Sequence, residues 1–395
     1  MTTIAADGSV AARPPRRAGA PAVAAAATVL LGVLWLWLLA RHHGDMTGFI
    51  EFGRYFAPAI HPPAHAAVPP GFGYDGQYFW RMAVSPLLGD HTVVSMLRDH
   101  QQYRAQRMVY PTLAWLLAGG QRGLVPYTLQ LIGFASAIAL VALLASAARR
   151  RGLSAWWGLA GLMPGMYLGM ARDLADPLSV TLAVATFVAL DRRRIWLAAV
   201  AASAAVLSRE TMLFIPLALT GSLVLARVGV AERLKPSRLP ARTWVVAATS
   251  FGAYLAWQAY ATVKLGAVPA LATPSGQFGA PLAPFPHQIA QTARDAGAGG
   301  QHLLLALANP LYLAGIVAAS VLAIWALVRR IDATAICAGL FALVAVSQTY
   351  GDHWSYTRAT APLFALVALI AIERRYKRAL VFVAAGAALL PLYPL

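Results

Sequence analysis

Gly73-Tyr74-Asp75-Gly76-Gln77-Tyr78-Phe79-Trp80 sets one carboxylate among four aromatic rings. Rings on both sides can wall a pocket, and a carboxylate inside it can handle a proton. The competing reading of Tyr74-Asp75-Gly76 is a solvated turn, because Asp-Gly is common turn chemistry. Three further charged motifs recur along the chain. They are Arg172-Asp173-Leu174-Ala175-Asp176-Pro177, Ser208-Arg209-Glu210-Thr211, and Asp352-His353-Trp354-Ser355-Tyr356-Thr357-Arg358. Each lies at the end of an apolar stretch, which points to chemistry at a membrane surface.

The elements that must position these residues are apolar. Of 395 residues, 59% are hydrophobic and only 12% charged, with a mean hydropathy of +0.61. A soluble chain would carry roughly 25% charged residues. Runs near the length of about 20 residues needed for a spanning helix recur at 20–40, 127–147, 154–170, 177–191, 195–208, 211–227, 243–262, 303–328, 333–349, 359–372 and 378–394. The expectation is an all-α integral membrane protein with about eleven transmembrane helices. The apolar stretch from Ala20 to Ala40 exceeds a signal core of about 7–15 residues and reads as an uncleaved first span. The single cysteine, Cys337, excludes a disulfide within the chain and a thiolate metal cage.

Charge orients these spans. The formal charge of +17 would suggest nucleic-acid binding in a soluble protein. Here the basic clusters alternate with spans, so orientation explains them and no nucleic-acid partner is expected. With eleven spans, Arg13/Arg16/Arg17, Arg149–Arg151, Arg192–Arg194, the 227–242 cluster, Arg329/Arg330 and Arg374–Arg378 share one side. That side holds twenty of the 32 Lys and Arg but only five of the 15 acids. The positive-inside rule makes it cytoplasmic. Residues 1–19 then form a basic cytoplasmic N-terminus, and 20–395 a single polytopic domain of the plasma (inner) membrane.

The opposite, extracytoplasmic side receives a first loop at 41–107 with short interfacial helices and a second loop at 263–302. The apolar stretch 108–120 is too short to cross and reads as an interfacial or re-entrant helix. Arg172, Asp173, Asp176, Arg209 and Glu210 join paired spans with almost no loop. Charges so close to hydrocarbon are costly unless paired or facing a wet cavity. Asp176 before Pro177 reads as a helix-capping acid. Arg209 with Glu210 reads as a local ion pair, and Arg172 with Asp173 as either an ion pair or a ligand contact. His61 and His65 have helical metal-site spacing, but Pro62 and Pro63 break that helix, so no metal is expected.

The order of these motifs resembles the GT-C superfamily of integral-membrane glycosyltransferases. The likeness is to PIG-V-like mannosyltransferases and related bacterial membrane proteins of cell-surface glycopolymer formation. It rests on Tyr74-Asp75-Gly76, Val109-Tyr110-Pro111-Thr112-Leu113, the Arg172–Pro177 turn and the Ser208–Thr211 turn. No paired-acid signature stands in the first loop. The resemblance implies transfer of a sugar, with mannose one candidate, from a polyprenyl-phosphate donor to a glycan or lipid acceptor of the cell envelope. It implies membrane lipid as a partner and no separate cofactor. Asp75 would be the base, with Asp45 its competitor because some GT-C families carry their acid just after the first span. Arg358, Arg172 and His353 would hold the donor phosphate, which a guanidinium fork matches. Tyr74, Gln77, Tyr78, Asp173, Arg209 and Glu210 would contact substrate. A lipid-glycan flippase or transporter, or a non-catalytic scaffold of an envelope-glycopolymer complex, are the alternatives.

Overall fold

A computed structural model of the protein describes residues 19–100, 102–228, 242–272, 279–296, 301–348 and 353–387. The expected basic start at 1–18 and most of the 227–242 cluster lie outside them. The regular secondary structure of the described residues is all helical, without a β-strand. Among the described residues five helices are long and apolar enough to cross a membrane: Ala20–Arg41, Arg122–Arg150, Glu210–Arg227, Ala308–Arg329 and Ser355–Glu373. Ile195–Ser208 and Ala333–Ser347 are apolar but shorter.

The first helix, α1 (Ala20–Arg41), opens on Pro21, whose fixed φ suits a first turn. It buries Val23, Ala27, Leu31 and Leu38, which the helical period lines up on one side. Val29, Val33, Leu36 and Trp37 stay exposed on the other. A helix that is apolar all round, with only one side covered by protein, is built for lipid contact.

The chain from 42 to 124 folds into a cap over one end of the bundle. It holds α2 (Ala57–Ile60), α3 (Gly76–Val84), α4 (His91–His100) and α5 (Val109–Leu117). With nine residues, α5 is about 14 Å long, under half of a hydrocarbon core. The cap has its own core, in which Phe52 meets Trp80 edge-on at 5.3 Å and Phe79 meets Tyr110 at 5.3 Å. This fixes α3, and with it the position of Asp75.

Next come α6 (Val125–Arg150), α7 (Pro164–Ala171), α8 (Asp176–Asp191), α9 (Ile195–Ser208), α10 (Phe214–Arg227) and α11 (Thr243–Leu265). The expected span at 154–170 is not one helix. A 3-10 segment, Ala155–Gly161, ends before Met163, which is extended (φ −89°, ψ 154°), and α7 restarts at Pro164. A proline ring disfavours the helical conformation in the residue before it, which accounts for the break.

The remaining helices are α12 (Pro284–Ala296), α13 (Gln301–Arg329), α14 (Ala333–Ser347), α15 (His353–Ala359), α16 (Ala361–Glu373) and α17 (Lys377–Ala387). The segment Ser355–Glu373 is 83% buried, against 22% for α1. So α16 is the central strut, and α15 on top of it projects Arg358 toward the cap.

Contacts at the other end of the bundle join different charges. Arg151 pairs with Asp191 at 2.8 Å, and Arg374 pairs with Asp332 at 2.9 Å while donating to the Ala326 carbonyl. The two ends therefore hold separate ionic clusters.

Candidate functional site

Asp75 stands at the N-cap of α3 but caps nothing with its side chain. Its carboxylate is buried and faces three guanidiniums from two distant parts of the chain. Arg104 meets Oδ1, Arg358 donates to Oδ2 at 2.8 Å, and Arg107 lies 3.7 Å from Oδ2. Close approach is possible because residue 76 is glycine. A Cβ there would sit 2.6 Å from the Arg172 carbonyl and 2.8 Å from that of Ile50. Gly73 (φ 66°) performs the turn before it, packed against Gly53.

Aromatic rings hold the arginines in place. Arg104 lies over Tyr78 at 4.2 Å and over Tyr103 at 4.9 Å. Tyr74 has Arg172 at 4.7 Å and Arg358 at 5.1 Å from its centroid. Cation–π contacts of this kind contribute about 0.5–2 kcal/mol each and fix the guanidinium plane. Gln77 does not face the cluster. Its amide donates to the Phe72 carbonyl at 2.7 Å and accepts from Gly53 N–H at 3.2 Å, so it braces the turn.

Further pairs extend the cluster. Arg107 grips Glu210 through two bonds of 2.8 and 2.5 Å. Arg209 pairs with Asp176, and Arg172 with Glu51. Arg209 and Glu210, expected to pair with each other, go to different partners. The extended backbone at Arg209 (φ −157°, ψ 130°) turns neighbouring side chains to opposite sides. Asp176 is not the cap of α8 either. Ala175 holds that position, and the Asp176 carboxylate is taken by Arg209.

Two expected site residues lie apart. Asp45 accepts from Thr47 N–H and Thr47 Oγ1, both at 2.8 Å, and caps the 3-10 turn Met46–Phe49. Asp173 takes a left-handed conformation (φ 49°) and turns away from Arg172. Its Oδ1 accepts from Gln130 at 2.7 Å, and Oδ2 has no hydrogen-bond partner among the described residues. His353 opens α15, but its side chain lies outside the described residues.

Arg104, Arg107 and Glu51 were not singled out from the sequence. The available signal was charge placement: these arginines lie in a loop that the expected topology puts on the side poor in basic residues.

Five arginines (Arg104, Arg107, Arg172, Arg209, Arg358) thus meet four carboxylates (Glu51, Asp75, Asp176, Glu210) among the described residues. The excess of one positive charge favours an anion. Burial alone would push Asp75 up, but Arg104, Arg358 and Arg107 outweigh it and hold the carboxyl well below the usual range. A cavity of about 230 Å3 adjoins the cluster, lined by Leu38, Arg41, His42, Gly48, Glu51, Ala171 and Arg172. Burial and the nearby Arg41 lower the His42 pKa, so its ring is neutral near pH 7. The cavity is basic on one wall and apolar at the end of α1.

Fold and site together define an all-helical protein, with helices able to cross a membrane, that carries a buried carboxylate–arginine cluster under a folded cap. Comparison of the chain with protein-family models, with curated proteins and with solved structures finds no match.

Proposed function

We propose that the protein is a GT-C-type glycosyltransferase. In this reading it moves a sugar, with mannose one candidate, from a polyprenyl-phosphate donor to a hydroxyl of a cell-envelope glycan or lipid. About eleven spans, with the N-terminus cytoplasmic, put the Asp75 cluster on the extracytoplasmic face of the plasma membrane. The convergence of Asp75 with Arg104, Arg107 and Arg358 carries this reading. It combines a proton acceptor with groups suited to a departing phosphate.

The donor lies along α1 with its phosphate near Arg172 and Arg358. The acceptor oxygen attacks the anomeric carbon, and the bond from that carbon to the phosphate oxygen breaks. The acceptor proton goes to Asp75, and polyprenyl phosphate leaves on the arginines. At rest the three guanidiniums make Asp75 a poor base. A donor phosphate competes with the Asp75 carboxylate for Arg358, and each guanidinium it draws off raises the basicity of Asp75. Arrival of the donor thereby readies the base.

The test is release of polyprenyl phosphate, with sugar transferred to extracted envelope acceptor, from radiolabelled polyprenyl-phosphate mannose and related donors. Purified protein in nanodiscs should catalyse it, and Arg358→Gln should slow it by about 100-fold, the scale for removing one preorganised charge contact. Movement of the lipid-linked sugar across the bilayer without any glycosidic bond formed would replace this reading with a flippase.

A further inference from the structure

A second cavity, of about 310 Å3, lies on the Asp45 side of the cap. It is lined by Asp45, Pro63, His65, Arg122, Pro126 and Tyr127, among others. The transfer cluster uses none of these residues. Arg122 is unusual here. It is held over Trp80 at 4.9 Å and donates to the His61 carbonyl at 2.6 Å. Among the described residues no carboxylate lies within ion-pair reach of it. A guanidinium pinned in one place with donors to spare is a preorganised hydrogen-bond source.

Asp45 faces the same cavity. Its Oδ1 is occupied by Thr47, and no described group bonds its Oδ2, which leaves an acceptor. A carboxylate lining the same cavity disfavours a simple anion by repulsion. The pair suits a ligand that both donates and accepts. Tyr127 (56% exposed) and the two proline rings supply flat apolar surface. The volume is at the low end of about 300–1,000 Å3 for small-ligand sites, which is room for one ring rather than a chain.

The place in the fold matters too. Trp80, under Arg122, is five residues along α3 from Asp75, about 7.5 Å of helical rise. A ring bound in the cavity is therefore near the transfer cluster but not in it.

We propose that this cavity is a saccharide subsite. It holds one neutral sugar ring of the acceptor glycan, with Arg122 donating to and Asp45 accepting from ring hydroxyls, and Tyr127 packing on its C–H face. The identity of the ligand rests on the glycosyltransferase reading; the geometry of the cavity does not.

The test is saturation-transfer NMR on the full chain in phosphatidylglycerol nanodiscs, with methyl α-D-mannopyranoside and methyl β-D-glucopyranoside as probes. Wild type and Asp75→Asn should both pass saturation to the ring protons of at least one probe. Arg122→Ala and Tyr127→Ala should weaken binding about tenfold, the scale of one lost charge-assisted contact. Asp45→Asn keeps a capping side chain and should weaken binding without loss of fold. No saturation transfer to either glycoside would overturn the proposal, as would equal transfer in Arg122→Ala. Binding of glycerophosphoethanolamine that depends on Arg122 and excludes the sugars would make the cavity a lipid-headgroup site and also overturn it. Arg122-dependent sugar binding in a protein without transferase activity would sink the enzyme reading and leave the subsite standing.

Discussion

Two buried carboxylates, Asp75 and Asp173, are treated in opposite ways by this protein. Asp75 has three guanidiniums around it and stays ionised. Asp173 has one amide, Gln130, whose own oxygen accepts from Trp35 Nε1 at 2.8 Å. Burial therefore pushes the Asp173 carboxyl well above the usual range, toward its neutral form. Both lie in short connections and both are almost wholly inaccessible, so burial cannot explain the difference. The partners decide it. A buried acid kept charged at this cost in desolvation is a candidate for chemistry; a buried acid that burial pushes toward its neutral form is a packing element.

The comparison breaks most sharply under substitution by the uncharged amide. Asp75→Asn removes the counter-charge of three arginines and should lower stability by about 3–5 kcal/mol, the usual result of unpairing a buried charge. Asp173→Asn swaps an acid that burial already favours in its neutral form for a neutral amide, retains the left-handed preference and should cost under about 1 kcal/mol. Thermal unfolding of the two variants beside wild type measures both. A smaller effect, about 3 kcal/mol, is expected for Glu210→Gln, which leaves Asp75, at 3.7 Å, as the one carboxylate paired with Arg107 among the described residues.

The pH dependence sharpens the same contrast, because the two acids have opposite signs. The folded pKa of Asp75 is depressed, so its stabilisation is present above the unfolded value of about 4 and fades as pH falls below it. The folded pKa of Asp173 is raised, so its cost is absent below about 4 and grows as pH rises toward the folded value. Between pH 7 and 3, Asp75→Asn should lose less stability than wild type. Asp173→Asn should become more favourable relative to wild type as pH rises. Parallel pH curves for all three proteins would remove the distinction. An effect smaller than that of removing either Asp75 or Glu210 belongs to Tyr74→Leu, which deletes the ring shared by Arg172 and Arg358 and should cost about 1–2 kcal/mol by unfolding.

Much of this arrangement was legible in the chain. A carboxylate among rings and arginines at span ends pointed to Asp75, Arg172 and Arg358, because apolar periodicity fixes where helices end. The pairing was harder to read. Adjacent charges such as Arg209 and Glu210 invite a local pair, yet one extended residue sends them to Asp176 and Arg107. Arg104 and Arg107 come from a loop whose sequence carries no period, so nothing local tells which acid they reach. Asp45 drew attention by its position after α1, but its Oδ1 caps the turn at Thr47 two residues on and it stands apart from the Asp75 cluster.

The most direct measurement is sugar transfer from radiolabelled polyprenyl-phosphate donors by wild type, Asp75→Asn and Asp173→Asn in the same nanodiscs, assayed below their melting temperatures. Asp75→Asn should lose at least about 100-fold in rate, the lower range for a general base, while Asp173→Asn stays within a few-fold of wild type. Equal activity in the folded Asp75→Asn protein, or equal loss in both variants, would contradict the assignment of Asp75 as the reacting carboxylate.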